Sequence, residues 1–364
     1  MNSKTLLILA ILAVVAAGLA LVGQRDDAST ASSLVGTALA PQLAESLDSA
    51  SAILIETGGA QTSVTLQRQG DSWTVAEHDG YPADFGKLRA ALTDLAQARV
   101  VEEKTRNPDF YDRLGVQPLD AAEATGTGVR IRDGSQDLVN IVLGATSGPS
   151  GRFARAAESD VSVLIDRNPE IPADPTEWLL PQLLDVRGDR VQRVTITHAD
   201  GEVLELSKAA RGQANFTVAS IPDGRELQYE SVANVTGNAL SELRLQGARA
   251  ATDAAADADP AVTAEFRTFD GLIVTTTDRA GDGWLSFAAR FDPALAREFS
   301  ETALEDADEA PSDEAAADAV IQAEADGIND RTSNWAFELP SHIHGQITRR
   351  IEDLLKALPD EASD

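Results

Sequence analysis

A unit of three short strands followed by one helix occurs twice in this chain and constrains its fold more than any other feature. In the first copy, apolar β-type runs at 53–55, 64–68 and 73–75 are separated by glycine-containing turns. The apolar residues that come next lie at helical spacing: Leu88, Ala91, Leu92 and Leu95. Because hairpin strands cannot bury an apolar face by themselves, we expect the helix to cover them.

The second copy repeats this strand order with apolar runs at 194–197, 203–206 and 216–218. Phe216 takes the place that Trp73 has in the first copy. A helical face is expected from the apolar residues that follow: Val232, Val235, Ala239 and Leu243. The sequence therefore predicts a second strand-and-helix unit of the same kind.

The N-terminal run 5–23 contains no charged side chain and consists mostly of Leu, Ile, Ala and Val. At a rise of about 1.5 Å per residue, this length just crosses a hydrocarbon core of about 30 Å. Lys4 and the amino terminus precede the run, while Arg25, Asp26 and Asp27 follow it, so the positive-inside bias places the short N-terminus in the cytoplasm and the bulk outside. The alternative is a cleaved signal peptide, for which Gly18-Leu19-Ala20 offers small residues at a suitable spacing.

These signals together predict an α+β fold of tandem repeats of small antiparallel β-sheets, each covered by an amphipathic helix, preceded by one N-terminal transmembrane helix. Composition shifts and turn signals set the expected boundaries. In chain order, the expected segments are a transmembrane anchor with a short cytoplasmic N-terminus (1–24), a linker (25–50), a first α+β repeat domain (51–185), a second α+β repeat domain (186–297), an acidic low-complexity linker (298–332), a C-terminal strand and helix (333–358) and a tail (359–364).

Composition excludes several classes of function. The net charge of −29 disfavours a nucleic-acid partner and an anionic lipid surface, because like charges repel at long range. The chain contains no cysteine, which removes disulfides, thiolate catalysis and cysteine-based metal sites. It also removes the lipidated cysteine of a bacterial lipoprotein, so a helix is the remaining means of membrane attachment.

Three further segments carry predictions about local structure. Asp174-Pro175-Thr176-Glu177 has the N-cap and proline of a helix start, with an apolar helical face expected to follow. In the stretch 298–330 every charge is negative and alanine is abundant, so we expect little contribution to a packed core. A final helix is predicted from the spacing of Ile343, Ile347, Ile351, Leu354 and Leu358.

No residue pattern indicates catalysis. The chain has no Gly-x-Ser-x-Gly elbow, and the glycine-rich loop 144–151 lacks the Lys-Ser/Thr ending of a phosphate loop. One residue separates His342 from His344, and at the start of a helix this spacing points their side chains in different directions. We therefore predict no catalytic residue, no cofactor and no metal site, and a non-enzymatic role.

Arg152, Phe153 and Arg155 form the best small-ligand hypothesis, as speculative ligand or partner contacts. The arginines flank the aromatic residue beside the glycine-rich loop, and we expect both on one face of a strand. The alternative is that they are surface charges lying beside the many carboxylates.

Several packing and turn motifs together resemble the bacterial domain-of-unknown-function 4340 family. The resemblance is best over residues 50–185 and weaker over the second repeat. Besides the single N-terminal span, the motifs are Trp73-Thr74-Val75, Tyr81-Pro82-Ala83-Asp84, Phe110-Tyr111-Asp112-Arg113-Leu114-Gly115-Val116, Leu143-Gly144, Gly151-Arg152-Phe153-Ala154-Arg155 and Trp178.

The resemblance implies an accessory component associated with gliding-motility-type ABC transporter subunits, anchored in the bacterial inner membrane with its folded part in the periplasm. It implies no catalytic residue. We therefore expect a membrane-anchored extracytoplasmic scaffold that docks ABC transporter permease or auxiliary subunits and binds no nucleic acid. One alternative is a periplasmic polysaccharide- or lipid-binding module, using the groove between the repeats with Trp73, Trp178 or Trp284. A second alternative is a cell-envelope hydrolase.

Overall fold

The computed structural model of the chain describes residues 33–251, 259–304 and 314–357. The predicted transmembrane helix, residues 5–23, lies outside these described residues. Across the described ranges, none of the helices combines the length and the apolar character needed to cross a bilayer.

The first nine strands form one antiparallel sheet, which we call the N-terminal sheet, in the spatial order β4-β3-β2-β1-β6-β7-β8-β9-β5. The strands are β1 (Ala52–Thr57), β2 (Gln61–Gln69), β3 (Ser72–Val75), β4 (Tyr81–Pro82), β5 (Val100–Thr105), β6 (Thr127–Asp133), β7 (Gln136–Ser147), β8 (Gly151–Ala156) and β9 (Ser162–Ile165). The helices of this half are α1 (Pro41–Ser46), α2 (Phe85–Gln97) and α3 (Tyr111–Leu114).

The three strands and the helix of the first repeat are confirmed. Alternate residues of β1 and β2 are buried, as a half-buried sheet requires. Helix α2 begins after Asp84, whose carboxylate accepts a hydrogen bond from the backbone N–H of Lys87 as an N-cap. Its buried residues are the four predicted ones, Leu88, Ala91, Leu92 and Leu95.

Helix α2 connects the two edges of the N-terminal sheet, β4 and β5. Its 13 residues span about 20 Å, and the four residues that flank it add at most about 14 Å. A flat sheet of this many strands would be about 38 Å wide. The sheet therefore has to coil, and the apolar side of α2 belongs to the same buried cluster as the inward-facing residues of the strands.

The C-terminal half contains an eight-stranded antiparallel sheet, the C-terminal sheet, in the order β13-β12-β11-β16-β17-β18-β19-β15. Its strands are β11 (Val191–His198), β12 (Val203–Ser207), β13 (Thr217–Val218), β15 (Gly247–Ala250), β16 (Val262–Thr268), β17 (Leu272–Asp278), β18 (Trp284–Phe291) and β19 (Trp335–Glu338). Between the two sheets, β10 (Gln182–Leu184) pairs with β14 (Leu243–Arg244). The helices are α4 (Asn234–Gly237), α5 (Pro293–Leu304), α6 (Glu314–Thr332) and α7 (Ser341–Ile347).

The predicted fold class is wrong. Instead of small sheets each covered by its own helix, the chain builds two large antiparallel sheets that each recruit strands from far along the sequence. The repeat itself is visible in the strand order, since β3-β2-β1-β6-β7-β8 corresponds to β13-β12-β11-β16-β17-β18. The duplicated unit is thus larger than the local pattern indicated, because the added strands pair across long loops.

The predicted helix over Val232–Leu243 is also wrong, since only Asn234–Gly237 is α-helical. β-Branched residues, asparagines and a glycine in this stretch lower its helix propensity. Gly237 is required where it stands, because a Cβ there would lie 2.1 Å from Cε2 of Phe216. The chain therefore runs through an irregular path that packs around this aromatic ring.

Helix α6, from the acidic stretch, packs on β17 and β18 of the C-terminal sheet. Ala325 and Ile328 are buried at this contact. The guanidinium of Arg190 donates to both carboxylate oxygens of Glu324, at 2.9 Å and 2.8 Å. Part of the acidic stretch thus belongs to the core, which its composition did not predict, because alanine propensity and a paired carboxylate suffice for docking.

Two further helix predictions are wrong in extent. Asp174 caps a turn with Pro175 as predicted, but the turn is a 3₁₀-helix that ends at Trp178 and leads into β10. The last helix, α7, ends at Ile347 and gives way to a 3₁₀ turn at Glu352–Leu354.

Candidate functional site

Arg155, one of the predicted contact residues, is buried in the N-terminal half. Its Nε donates to the carbonyl oxygen of Val116 at 2.9 Å, and its Nη1 donates to that of Ser159 at 2.9 Å. The guanidinium also lies 5.0 Å from the ring centroid of Tyr111, and burial lowers its pKa. This side chain therefore holds two loops together.

Arg152 has a similar environment on the other face of the same strand. Its Nε donates to the carbonyl oxygen of Gly144 and its Nη1 to that of Pro169, both at 2.9 Å, and burial lowers its pKa. Because side chains alternate along a strand, the prediction that Arg152 and Arg155 share a face is wrong. Phe153 is half-buried, with Lys104 Nζ at 5.8 Å from its ring centroid. The structure does not bring these three residues to one cleft.

The four histidines lie in three different elements, namely the turn after β3, the end of β11 and α7. His342 and His344 lie in α7, as the predicted helix start requires. His344 Nε2 is 3.8 Å from the carboxylate of Asp278. Within residues 33–251, 259–304 and 314–357, no three His, Asp or Glu side chains are grouped as metal ligands would be.

The two halves meet along a seam formed by the turn after β3 and the edge strand β15. The Nδ1 of His78 lies 2.9 Å from the carbonyl oxygen of Ala248, and a carbonyl only accepts, so this nitrogen carries the proton. The carboxylate of Asp79 accepts a hydrogen bond of 2.9 Å from the backbone N–H of Ala250. The first half thereby occupies the outer edge of the C-terminal sheet.

Tyr81 fills the apolar part of this seam. Its ring meets Trp335 edge to face at a centroid distance of 5.0 Å, and it meets Phe337 at 5.9 Å. The hydroxyl donates to the carbonyl oxygen of Leu180 at 3.4 Å, and burial raises the pKa of Tyr81 to about 12. This part of the predicted groove between the repeats is therefore packed.

The tryptophans of the binding-module hypothesis have unequal access to solvent. Trp73 and Trp178 are buried, with exposed fractions of 7% and 1%, and the indole N–H of Trp178 donates to the carbonyl oxygen of Pro172. Trp284 is only partly buried. Of the three, Trp284 is the one that a ligand can reach.

Trp284 lines a surface cavity of about 230 Å³, which we call the Trp284 recess. It opens on the face of the C-terminal sheet opposite α6, because Trp284 and Ser286 alternate with the buried residues of β18. Its lining comes from four strands and one turn: Arg249, Ala250, Ala251, Thr277, Arg279, Ala280, Asp282, Trp284, Ser286 and Ala336.

A tight turn holds Asp282 at the rim of this recess. The buried carboxylate of Asp278 accepts hydrogen bonds from the backbone N–H groups of Gly281 and Gly283, at 2.7 Å and 3.2 Å. Both glycines have positive φ angles, +68° and +84°, which residues with a Cβ rarely adopt. The turn therefore depends on the Asp-x-x-Gly-x-Gly spacing.

Arg249 lies beside both Asp282 and Trp284 in the recess. Its guanidinium carbon lies 4.3 Å from the ring centroid of Trp284, and its Nη2 donates to the carboxylate of Asp282 at 2.7 Å. This hydrogen bond lowers the pKa of Asp282. The indole, the guanidinium over it and the carboxylate beside them give this side of the recess both hydrogen-bond donors and acceptors.

Sequence reasoning identified Trp284 but missed its neighbours. Arg249 lies in a four-residue strand, β15, that the sequence patterns did not predict. This strand acquires its position only by pairing with β19, where Arg249 faces Ala336.

A second surface feature lies where the described chain begins. The backbone N–H of Gly36 donates to the carbonyl oxygen of Val100 at 2.8 Å, which attaches the N-terminal segment to the edge strand β5. Three large apolar side chains around this contact are exposed, by 36%, 53% and 49%, and we call them the tether-side cluster: Leu34, Val35 and Val101.

Comparison with known proteins yields one match. The family model described as "Domain of unknown function (DUF4340)" matches residues 73–261, from strand β3 to the residue before β16, and thus includes parts of both sheets. No curated protein and no solved structure matches the chain. Because the match spans more than half of the 364 residues, the predicted resemblance is confirmed and the chain belongs to the domain-of-unknown-function 4340 family.

Proposed function

We propose that this protein is a non-enzymatic, single-span scaffold of the bacterial inner membrane, whose periplasmic body docks permease or auxiliary subunits of an ABC-type transport system. The partner class is the one implied by the family resemblance. The orientation is the one implied by the uncharged run 5–23 and the charges that flank it.

The attachment point of the anchor supports a role close to the membrane. Nine residues, 24–32, separate the predicted span from the first described residue. Even fully extended, they reach only about 30 Å. Since the segment after Ser33 is hydrogen-bonded to β5, a membrane anchor would hold this edge of the N-terminal sheet within that distance of the bilayer.

The tether-side cluster is the observation that carries the docking proposal. Val35 and Val101 leave about half of their surface exposed, and they lie at the edge that the anchor would hold close to the bilayer. Apolar side chains grouped on an otherwise acidic surface are typical of a protein interface. A partner that rises from the membrane beside the anchor would cover them.

Affinity capture tests the docking. The full-length chain, tagged after Asp364, is purified from detergent extracts of its native membranes, and we expect transporter subunits to be recovered with it. The double variant Val35→Glu, Val101→Glu places two charges in the interface and should reduce this recovery to background. Val203→Glu is the matched control, because Val203 is exposed by 51% on β12 of the other sheet.

Two outcomes would contradict the proposal: recovery of proteins with no transporter subunit among them, or equal recovery by the double variant and the control. A separate measurement tests the topology. Protease added to intact spheroplasts should cleave the body, whereas inside-out vesicles should protect it.

A further inference from the structure

We propose that the Trp284 recess binds one ring of a neutral saccharide. This goes beyond transporter docking and does not depend on it, because the recess lies on the C-terminal sheet and the tether-side cluster lies on the N-terminal one.

The size of the recess limits its ligand. Its volume of about 230 Å³ is below the roughly 300 Å³ at which sites begin to enclose a drug-sized molecule. The recess is also open at the surface. It therefore accommodates one ring-sized unit, which can be part of a longer chain that continues into solvent.

The wall of the recess favours a ring with apolar faces. The guanidinium carbon of Arg249 lies over one face of the partly exposed indole of Trp284, 4.3 Å from the ring centroid, so a ligand in the recess would contact the remaining exposed surface of the indole and the guanidinium. The negative face of an aromatic ring attracts the weakly positive C–H groups that cover the faces of a sugar. Ala250, Ala251, Ala280 and Ala336 add methyl groups but no bulky aliphatic side chain, so a fully apolar ligand would find few contacts.

The polar groups suit vicinal hydroxyls, which donate and accept hydrogen bonds at the same time. Arg249 uses one N–H on Asp282, and among the described residues its Nε and Nη1 have no partner. Asp282 accepts one bond on each oxygen, which leaves lone pairs unused. The hydroxyl of Ser286 donates to the carbonyl oxygen of Thr277 and can still accept.

The balance of charges argues against an anionic ligand. Arg249 and Arg279 line the recess, but Asp282 neutralises one of these charges. The carboxylate of Glu338 is also close, because a Cβ on Gly247 would lie 3.0 Å from it and 3.4 Å from the Trp284 ring. Two cations beside two carboxylates select an uncharged ligand.

Isothermal titration calorimetry on the full-length chain tests the inference. A polyoxyethylene detergent is used, since a glycoside detergent would compete for the recess. The probes are the neutral hexasaccharides maltohexaose, cellohexaose and chitohexaose, and we expect at least one to bind with a Kd below about 5 mM. Because the ligand is uncharged, affinity should be the same at low and high salt.

Variants locate the binding to the recess. Trp284→Ala should weaken binding by about tenfold or more, and the shape-conserving Asp282→Asn should weaken it by about threefold or more. Thr195→Val, on β11 of the same sheet face, should leave the affinity unchanged. Circular dichroism verifies that each variant is folded. If Trp284→Ala does not fold, the affinity of Asp282→Asn still decides the question.

Three results would overturn the inference. They are the absence of binding by all three hexasaccharides, equal binding by Asp282→Asn and the parent, and tighter binding of polygalacturonate that weakens steeply with salt. Trp284→Ala should still capture transporter subunits, and Val35→Glu, Val101→Glu should still bind saccharide. Failure of one proposal is thereby distinguished from failure of the other.

Discussion

The two sheets share a strand order but are covered by helices that attach in different ways. Helix α2 buries large apolar side chains, and Leu88 and Leu95 are almost completely inaccessible. Helix α6 buries only Ala325, Ile328 and Thr332 among its residues of described burial. Covering a sheet thus does not require the leucine-rich face that the first repeat displays.

Polar contacts attach α6 to the C-terminal sheet where large apolar side chains are few. The amide of Asn329 donates to the carbonyl oxygen of Ala289 and accepts from its N–H, both at 2.8 Å. The hydroxyl of Thr332 lies 3.1 Å from the carbonyl oxygen of Phe287 and 2.9 Å from that of Ile328 in its own helix, and its one hydrogen is shared between them. Strand β19 pairs with β18 only at Trp284 and Leu285, so these side chains satisfy backbone groups that the short strand leaves open.

The origin of each helix explains the contrast. Helix α2 follows β4 and precedes β5 in the chain, so it packs on the sheet that its neighbouring strands form. The residues at apolar helical spacing in its sequence are therefore the ones that are buried. Helix α6 comes from an acidic segment far along the chain, where few large apolar residues are present. Hydrogen bonds and ion pairs then supply the specificity that leucine packing supplies in the first half.

Leu95→Ala tests the apolar half of the comparison and should have the largest effect. Loss of this inaccessible side chain from α2 should lower the free energy of unfolding by about 2–5 kcal/mol, because a cavity remains. Urea denaturation of the full-length chain in detergent measures it. Val320→Ala on α6, where the side chain is 65% exposed, is the control and should change the value by less than about 0.5 kcal/mol.

Asn329→Ala tests the polar half. Removing the amide leaves the N–H and carbonyl oxygen of Ala289 without these partners, and we expect a loss of about 1–3 kcal/mol. Gln322→Ala on the same helix removes an amide that bonds the exposed Asp326 and should cost less than about 0.5 kcal/mol. If Asn329→Ala destabilises more than Leu95→Ala, the contrast between the two helices is reversed.

A pH titration provides the finest test of the network that holds α6. Burial alone would raise the pKa of Asp270, but hydrogen bonds from Arg190 and Thr268 lower it below its ordinary value of 3.8. A carboxylate with a lowered folded pKa stabilises the fold above its unfolded pKa and loses this effect as the pH falls through the folded one.

The gap in unfolding free energy between the parent and Asp270→Asn should therefore be full above about pH 5 and narrow on acidification. In an Arg190→Ala background the pH-dependent part of this gap should shrink, because the strongest partner is missing. A gap of constant size from pH 6 to pH 2 would show that Asp270 contributes by packing alone.

Local signals in the sequence predicted much of the fold. The strands of both repeats and the helix that buries Leu88, Ala91, Leu92 and Leu95 are all present. Each depends on residues close in sequence, whose turn and capping preferences act without tertiary help. The helix predicted at Val232–Leu243 failed because an apolar spacing alone did not outweigh poor helix formers packed around Phe216.

The candidate site was less accessible to prediction. Trp284 was one of three tryptophans that the sequence offered as contacts of a binding module, and the structure leaves it the accessible one. Arg249 and Asp282 were not predicted, because their positions depend on β15 reaching β19 and on the seam with the first half. The arginines of the original hypothesis, Arg152 and Arg155, instead hold loop carbonyls, a role that no local pattern distinguishes from ligand binding.

What the sequence by itself determined is the family, the doubled strand pattern and the local turns, because short-range periodicity and backbone preferences suffice for them. Only the tertiary structure decided that these strands merge into two large sheets, that an acidic helix covers the second, and that an indole, a guanidinium and a carboxylate meet in one recess. The physical reason is that hydrogen bonds between distant strands and burial against distant helices have no signature in any short window of residues.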